Sequence, residues 1–149
     1  MKILLLTEDN SILEENSPKN SKLLEYSSFV NGLFVIILTN KNKNSFKTKR
    51  LTQNAWIYQA ISSLKILRII NAFKLASFEV KANGVFQADL IICEDQFIST
   101  ITGYFLSKKF RRPLYIFLTD ENERKLFYPV GVIQIIKANF LWFIFKRAY

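Results

Sequence analysis

The acidic residues of this sequence are gathered at a few points. Six of the twelve Asp and Glu residues form three adjacent pairs, Glu8-Asp9, Glu94-Asp95 and Asp120-Glu121, each directly after an apolar run of strand length. Parallel strands all end on one edge of a sheet, so the pairs converge at the carboxyl edge, where open α/β sheets bind ligands in a crevice. In a basic protein this places negative charge where a site belongs. Thr7, Thr39 and Thr119 close three runs in the same register and add hydroxyls to that rim. The same positions also suit a purely structural role, because carboxylates cap helices and favour their positive N-terminal ends.

Other chemistries are excluded by composition. The chain has no His, so it cannot build Ser-His-Asp triads, Cys-His pairs or His-based zinc helices from its own residues. Its single Cys makes neither an internal disulfide nor a Cys-rich metal site, which fits a reducing compartment. Residues 7 to 31 contain no Gly, whereas a dinucleotide fingerprint or a P-loop needs Gly in the first strand-to-helix turn so that the backbone can approach phosphate. The first loop is therefore not expected to cradle a nucleotide diphosphate.

The elements that must position these residues alternate. Ile3 to Leu6 is the first strand, followed by a polar loop to about Asn20, a helix capped by Ser21 over Lys22 to Val30, and a stop at Asn31-Gly32. Leu33 to Leu38 is a continuous apolar run, the mark of a strand buried on both faces of a parallel sheet. Residues 41 to 50 carry five positive charges and no apolar period, which predicts a solvated loop before a short strand at Trp56 to Tyr58. From Ile61 to about Ala82 the positions Leu64, Leu67, Ile70, Phe73, Ala76 and Val80 predict a long amphipathic helix, with Lys65, Arg68, Lys74 and Lys81 on its other side. Asn83-Gly84 ends it. Asp89 to Cys93 is the next strand, Phe97 to Lys109 a helix, and Leu114 to Leu118 a further strand after Pro113. Strand and helix in alternation predict one α/β domain over residues 1 to 149, Rossmann-like and three-layered, with a mostly parallel sheet.

The 149 residues, half of them hydrophobic, suffice for one buried core. The 21 Lys plus Arg give a net charge of +9 and point to an anionic partner. The basic run at 41 to 50 with Lys108, Lys109, Arg111 and Arg112 suits lipid or nucleic-acid phosphates, but no nucleic-acid signature accompanies it and no such partner is expected. The N-terminal apolar run is too short for a signal peptide. Val130 to Phe145 is interrupted by Gln134, Lys137 and Asn139. It falls short of the roughly 20 apolar residues of a membrane span, and reads as a helix against the sheet or, with its aromatics and Lys146-Arg147, one lying on a membrane.

Two families share pieces of this pattern. Lys2 to Asn10 resembles the opening of a response-regulator receiver domain, and Ala88 to Asp95 its acceptor strand, but the interval from Asp9 to Asp95 is about twice too long and no Lys-Pro pair follows the last strand. The chain more closely resembles the N-terminal half of glycosyltransferase family 4, enzymes of the GT-B fold. The shared features are the opening Met-Lys-Ile-Leu, the strand Ala88-Asp-Leu-Ile91 with its polar tip Glu94-Asp95-Gln96-Phe97, the helix Ile101 to Phe110, and the Pro-led strand Arg112 to Asp120.

This resemblance implies an acceptor-side Rossmann-like domain facing a second domain that binds the nucleotide sugar. The activity implied is hexosyl transfer to a lipid-linked or saccharide acceptor, with the nucleotide sugar as co-substrate and no bound metal or other cofactor. Carried over by position, Glu8, Asp9 and Asn10 flank the first loop, Glu94, Asp95 and Gln96 line the cleft from one strand tip, and Thr119 and Asp120 line it from another. Asp120 is the candidate catalytic residue. Leu118 stands where many relatives place His. The donor-binding domain is not part of these 149 residues, so a fragment, an isolated domain or one half of a split enzyme is expected, inactive alone. Its expected place is the cytoplasm, peripheral to the inner membrane face. The alternative is a non-catalytic basic α/β interaction module at a membrane surface.

Overall fold

The computed structural model describes residues 1–40, 48–94 and 97–117. Eight strands are present among them: β1 (Lys2–Thr7), β2 (Gly32–Thr39), β3 (Thr48–Thr52), β4 (Ala55–Ile61), β5 (Lys81–Ala82), β6 (Val85–Phe86), β7 (Leu90–Glu94) and β8 (Leu114–Phe117). Three α-helices accompany them, α1 (Pro18–Phe29), α2 (Lys65–Phe78) and α3 (Ile98–Phe110), with a 3-10 turn at Asn10–Leu13. Six strands form one sheet in the order β3-β4-β2-β1-β7-β8. All neighbours pair in parallel except β3, which runs antiparallel to β4 at the edge. The architecture is α/β with a mostly parallel sheet, compatible with a Rossmann-like fold.

The continuous apolar runs explain the centre of that sheet. Every residue of β2 is buried, and Leu4, Leu5 and Leu6 of β1 lie between β2 and β7. Burial on both faces leaves no reason for polar alternation. On one face Leu5, Val35 and Ile37 pack with Ile12, Leu13 and Leu23 of the 3-10 turn and α1. On the other, Leu4, Leu6, Ile36 and Leu38 pack with Ala72 and Ala76 of α2 and Leu106 of α3.

The chain leaves β1 for β2 and β4 on one side, and α2 then carries it across to β7 and β8 on the other. The boundary between β1 and β7 is thus the topological switch point, where the loops beyond the strand ends part and open a crevice.

Several local expectations are corrected. α1 begins at Pro18, four residues ahead of the expected start, because Ser17 is the cap: its Oγ accepts the Asn20 amide at 3.0 Å, and Pro at the first helical position costs no hydrogen bond. The basic stretch expected as loop enters β3 at Thr48, where Lys49 and Arg50 blunt an edge strand. Ile61 closes β4 instead of opening a helix, and the helix expected to Ala82 ends at Phe78. Asn83 and Gly84, both at positive φ, then form the tight turn of the β5–β6 hairpin, for which paired left-handed residues are the favoured geometry.

The expected face of α2 is corrected in part: Phe73 packs on the core, Ala76 and Val80 are buried, and Lys65, Lys74 and Lys81 are exposed, all as expected. Leu64, Leu67 and Ile70 are exposed, while Arg68, assigned to the polar side, is only 8% exposed along with buried Ala72, Ala76 and Ser77. Small side chains at Ala72 and Ala76 let the helix lie close against β2 and β4, and Ile69, Phe73 and Leu75 pack beside them. Leu118, the 41–47 part of the basic loop and the apolar stretch from Val130 to Phe145 lie outside the described residues.

Candidate functional site at the carboxyl edge of the sheet

Three of the predicted acids meet at the switch point. Glu8 and Asp9 follow β1, and Glu94 ends the neighbouring β7. Asn10 opens the 3-10 turn beside them. Asp95, Gln96, Thr119 and Asp120 lie outside the described residues.

Each carboxylate has a definite partner. Glu8 Oε1 accepts the backbone N–H of Ile98, the first residue of α3, at 3.2 Å. Phe97, at the cap position of α3, offers no side-chain hydrogen bond, so a carboxylate from the loop after β1 caps it across the crevice. Negative charge at that end also meets the positive end of the helix macrodipole. Asp9 Oδ1 accepts the Ser11 amide at 2.9 Å and caps the 3-10 turn, while the Asp9 amide donates to Thr7 Oγ1 at 3.1 Å.

Lys19, in the first turn of α1, completes the cluster. Its Nζ lies 3.3 Å from Glu94 Oε2 and 3.8 Å from Asp9 Oδ2. A cation near a helix N-terminus opposes the macrodipole, and the two carboxylates offset that cost. Sequence reasoning missed Lys19 because it placed the cap at Ser21 and the helix start at Lys22. The signal was present: Ser17-Pro18 is a cap followed by an N1 proline, which places Lys19 in the first turn, facing the strand tips.

Neighbouring backbone fixes this arrangement. Ser99 Oγ donates to the Glu94 carbonyl at 2.8 Å, and Asn20 Nδ2 donates to the Ile12 carbonyl at 2.8 Å, tying α1 to the 3-10 turn. Asn10 Oδ1 is buried and has no hydrogen-bond partner among the described residues. Thr7 and Thr39 are buried, so their hydroxyls lie beneath the rim and not on it. Cys93 is fully buried next to Glu94, and burial pushes its thiol far above the ordinary range, against a smaller lowering by the Gly103 backbone. This thiol belongs to the core and takes no part in the crevice.

The crevice continues into an apolar groove of about 410 Å³ on the α1 side of the sheet. Ile3, Leu5 and Ile92 form its floor, Tyr26 and Phe117 stand at its walls, and Lys19 and Glu94 lie at its polar end. Acceptor oxygens, the ammonium groups of Lys19 and Lys22 and an adjoining apolar trough suit a ligand with hydroxyls at one end and hydrocarbon at the other. Among the described residues no group of three or more His, Cys, Asp and Glu is disposed to hold a metal ion. No described helix is long and apolar enough to cross a membrane. No family model, curated protein or solved structure matches the chain.

Proposed function

We propose that this chain is the acceptor-binding half of a GT-B type glycosyltransferase, resembling family 4, that acts on a lipid-linked or saccharide acceptor. One observation carries the reading: Glu8, Asp9 and Glu94 stand at the β1/β7 switch point, and Glu94 with Lys19 lines the polar end of an apolar groove. Carboxylates accept hydrogen bonds from sugar hydroxyls, and a groove of apolar side chains receives an aliphatic tail. Lys19, between Asp9 and Glu94, fixes both acids and can meet a phosphate linking sugar to lipid.

In this reading the acceptor hydroxyl attacks the anomeric carbon of a nucleotide sugar, the nucleoside diphosphate leaves, and the hydroxyl proton passes to a base, for which Asp120 is the candidate. The donor is held by a second domain, on the same or another chain. This domain positions the acceptor and transfers nothing by itself.

Calorimetry separates the two ligand classes. Octyl glucoside, titrated below its micellar concentration as a mimic of a lipid-linked sugar, is expected to give a saturable signal, and UDP-glucose, UDP-N-acetylglucosamine and GDP-mannose none. Saturable micromolar binding of a nucleotide sugar, or no binding of the glycoside, contradicts the assignment.

A further inference from the structure

α2 carries large apolar residues on both of its sides: Ile69, Phe73 and Leu75 pack against the core, and others face solvent. Its buried residues are Arg68, Ala72, Ala76 and Ser77, while Ile66, Leu67, Ile70 and Phe78 are exposed, Ile66 at 72% and Phe78 at 76%. Ile66, Ile70, Lys74 and Phe78 follow one another at intervals of four, with Leu67 alongside, so the outward side is apolar at Ile66, Leu67 and Ile70 and, beyond Lys74, at Phe78. Leu64, just ahead of the helix, is exposed as well. A contiguous apolar stripe on the surface of a domain marks a surface that meets something else.

With the exception of Glu79, the charges around the stripe are positive. α2 contains no Asp or Glu, and exposed Lys65 and Lys74 border its apolar residues. The adjacent α3 likewise has no acid and adds exposed Phe105 and Lys108. Glu79, directly after α2, is the nearest acid in sequence. Among the described residues the other acids lie elsewhere: Glu8, Asp9 and Glu94 at the carboxyl edge, Glu14 and Glu15 after the 3-10 turn, Glu25 on α1 across the sheet and Asp89 ahead of β7.

We propose that the outer face of α2 is a docking surface for an anionic lipid bilayer. The helix, 14 residues long, lies in the plane of the interface. Ile66, Leu67, Ile70 and Phe78 enter the boundary between headgroups and acyl chains, and Lys65 and Lys74 reach lipid phosphates with their flexible stems along the apolar surface. Charge complementarity selects this occupant: an acidic lipid surface satisfies every lysine at the rim without needing a matching pattern of acids. The surface lies apart from the crevice and does not depend on the sugar-transfer reading.

Sedimentation of the full chain with phosphatidylcholine vesicles carrying roughly 30% phosphatidylserine tests the proposal. Binding is expected to be strong at low salt, weak to pure phosphatidylcholine, and lost at about 0.5 M NaCl. The pair Ile66→Ser with Ile70→Ser and the pair Lys65→Glu with Lys74→Glu each lower binding about tenfold. Leu24→Ser, on the exposed face of α1 across the sheet, leaves it unchanged. Should a pair unfold, the Ile66→Trp variant decides: its added emission is quenched by brominated lipid, and that of Leu24→Trp is not. Absence of binding, binding that both α2 pairs leave intact, or indifference to salt and lipid charge overturns the proposal. So does a dimer in solution that Ile66→Ser dissociates while vesicle binding is absent, since the stripe then meets a second copy.

Discussion

Lys19 reaches from the first turn of α1 to within 3.3 Å of the Glu94 carboxylate at the tip of β7. It thereby ties the helix that follows the first strand to the strand across the switch point. The side chains are 45% and 23% exposed. The pair is therefore partly screened, and its worth lies more in positioning the crevice than in stability.

Lys19→Met is accordingly expected to lower stability by about 1 kcal/mol or less. The loss should shrink when salt is raised to about 0.5 M, because the repulsion left between Asp9 and Glu94 is then screened. Urea unfolding at low and high salt checks this. A loss of several kcal/mol, independent of salt, would mean that Lys19 holds the fold through packing instead.

α3 lies close against the sheet at Gly103. A methyl group built there comes 2.2 Å from Cys93 Sγ and 3.1 Å from Leu114 Cδ1. Gly103→Ala is thus expected to destabilise by about 1–3 kcal/mol through overpacking. Because the sulfur is the main obstacle, Cys93→Ala in the same chain should restore part of the loss, giving a coupling of about 1 kcal/mol between the two sites in a double-mutant cycle. Additive losses would place the strain elsewhere.

Tyr58 should make the fold sensitive to alkali. Burial first, and the Glu79 carboxylate second, hold its phenol above the ordinary value of 10.0. A group whose proton is held more tightly in the folded state contributes stability below its unfolded value and loses it as pH rises through the folded one. Urea midpoints of the native chain should fall from about pH 10 upward, and Tyr58→Phe should flatten that fall. Parallel curves for the two proteins would show that the phenol does not contribute.

α2 begins without a side-chain cap. Leu64 occupies that position with no hydrogen bond from its side chain, and Lys65 follows at the positive end of the helix. Leu64→Asp supplies an acceptor for the free amides and a charge that suits both. It should stabilise the domain by about 1 kcal/mol, read as a rise in thermal midpoint. An unchanged or lower midpoint would refute this cap geometry.

Sequence and structure agree best where one physical demand dominates. Leu33 to Leu38 must be buried on both faces, and the chain places it beside β1 at the centre of the sheet. The strand tips carrying Glu8, Asp9 and Glu94 were legible for the same reason, since parallel strands share an edge. Their capping of α3 and of the 3-10 turn was legible only as a role that acids at such positions can take. Where two demands compete, pattern fails: α2 has apolar residues enough for either side, and the close approach allowed by Ala72 and Ala76 decides which one the sheet covers. Lys19 was hidden by a displaced helix start, because Ser17 and Ser21 both resemble caps and only the proline after Ser17 separates them.

The most direct test of the central claim is a titration of octyl glucoside into the isotope-labelled chain, followed through the amide spectrum. The account predicts saturable shifts at Glu8, Asp9, Asn10, Glu94 and Ile98, extending to Phe117 along the groove, with UDP-glucose moving none of them. Shifts confined to other surfaces, or a spectrum that responds to the nucleotide sugar and ignores the glycoside, would contradict an acceptor site at the β1/β7 crevice.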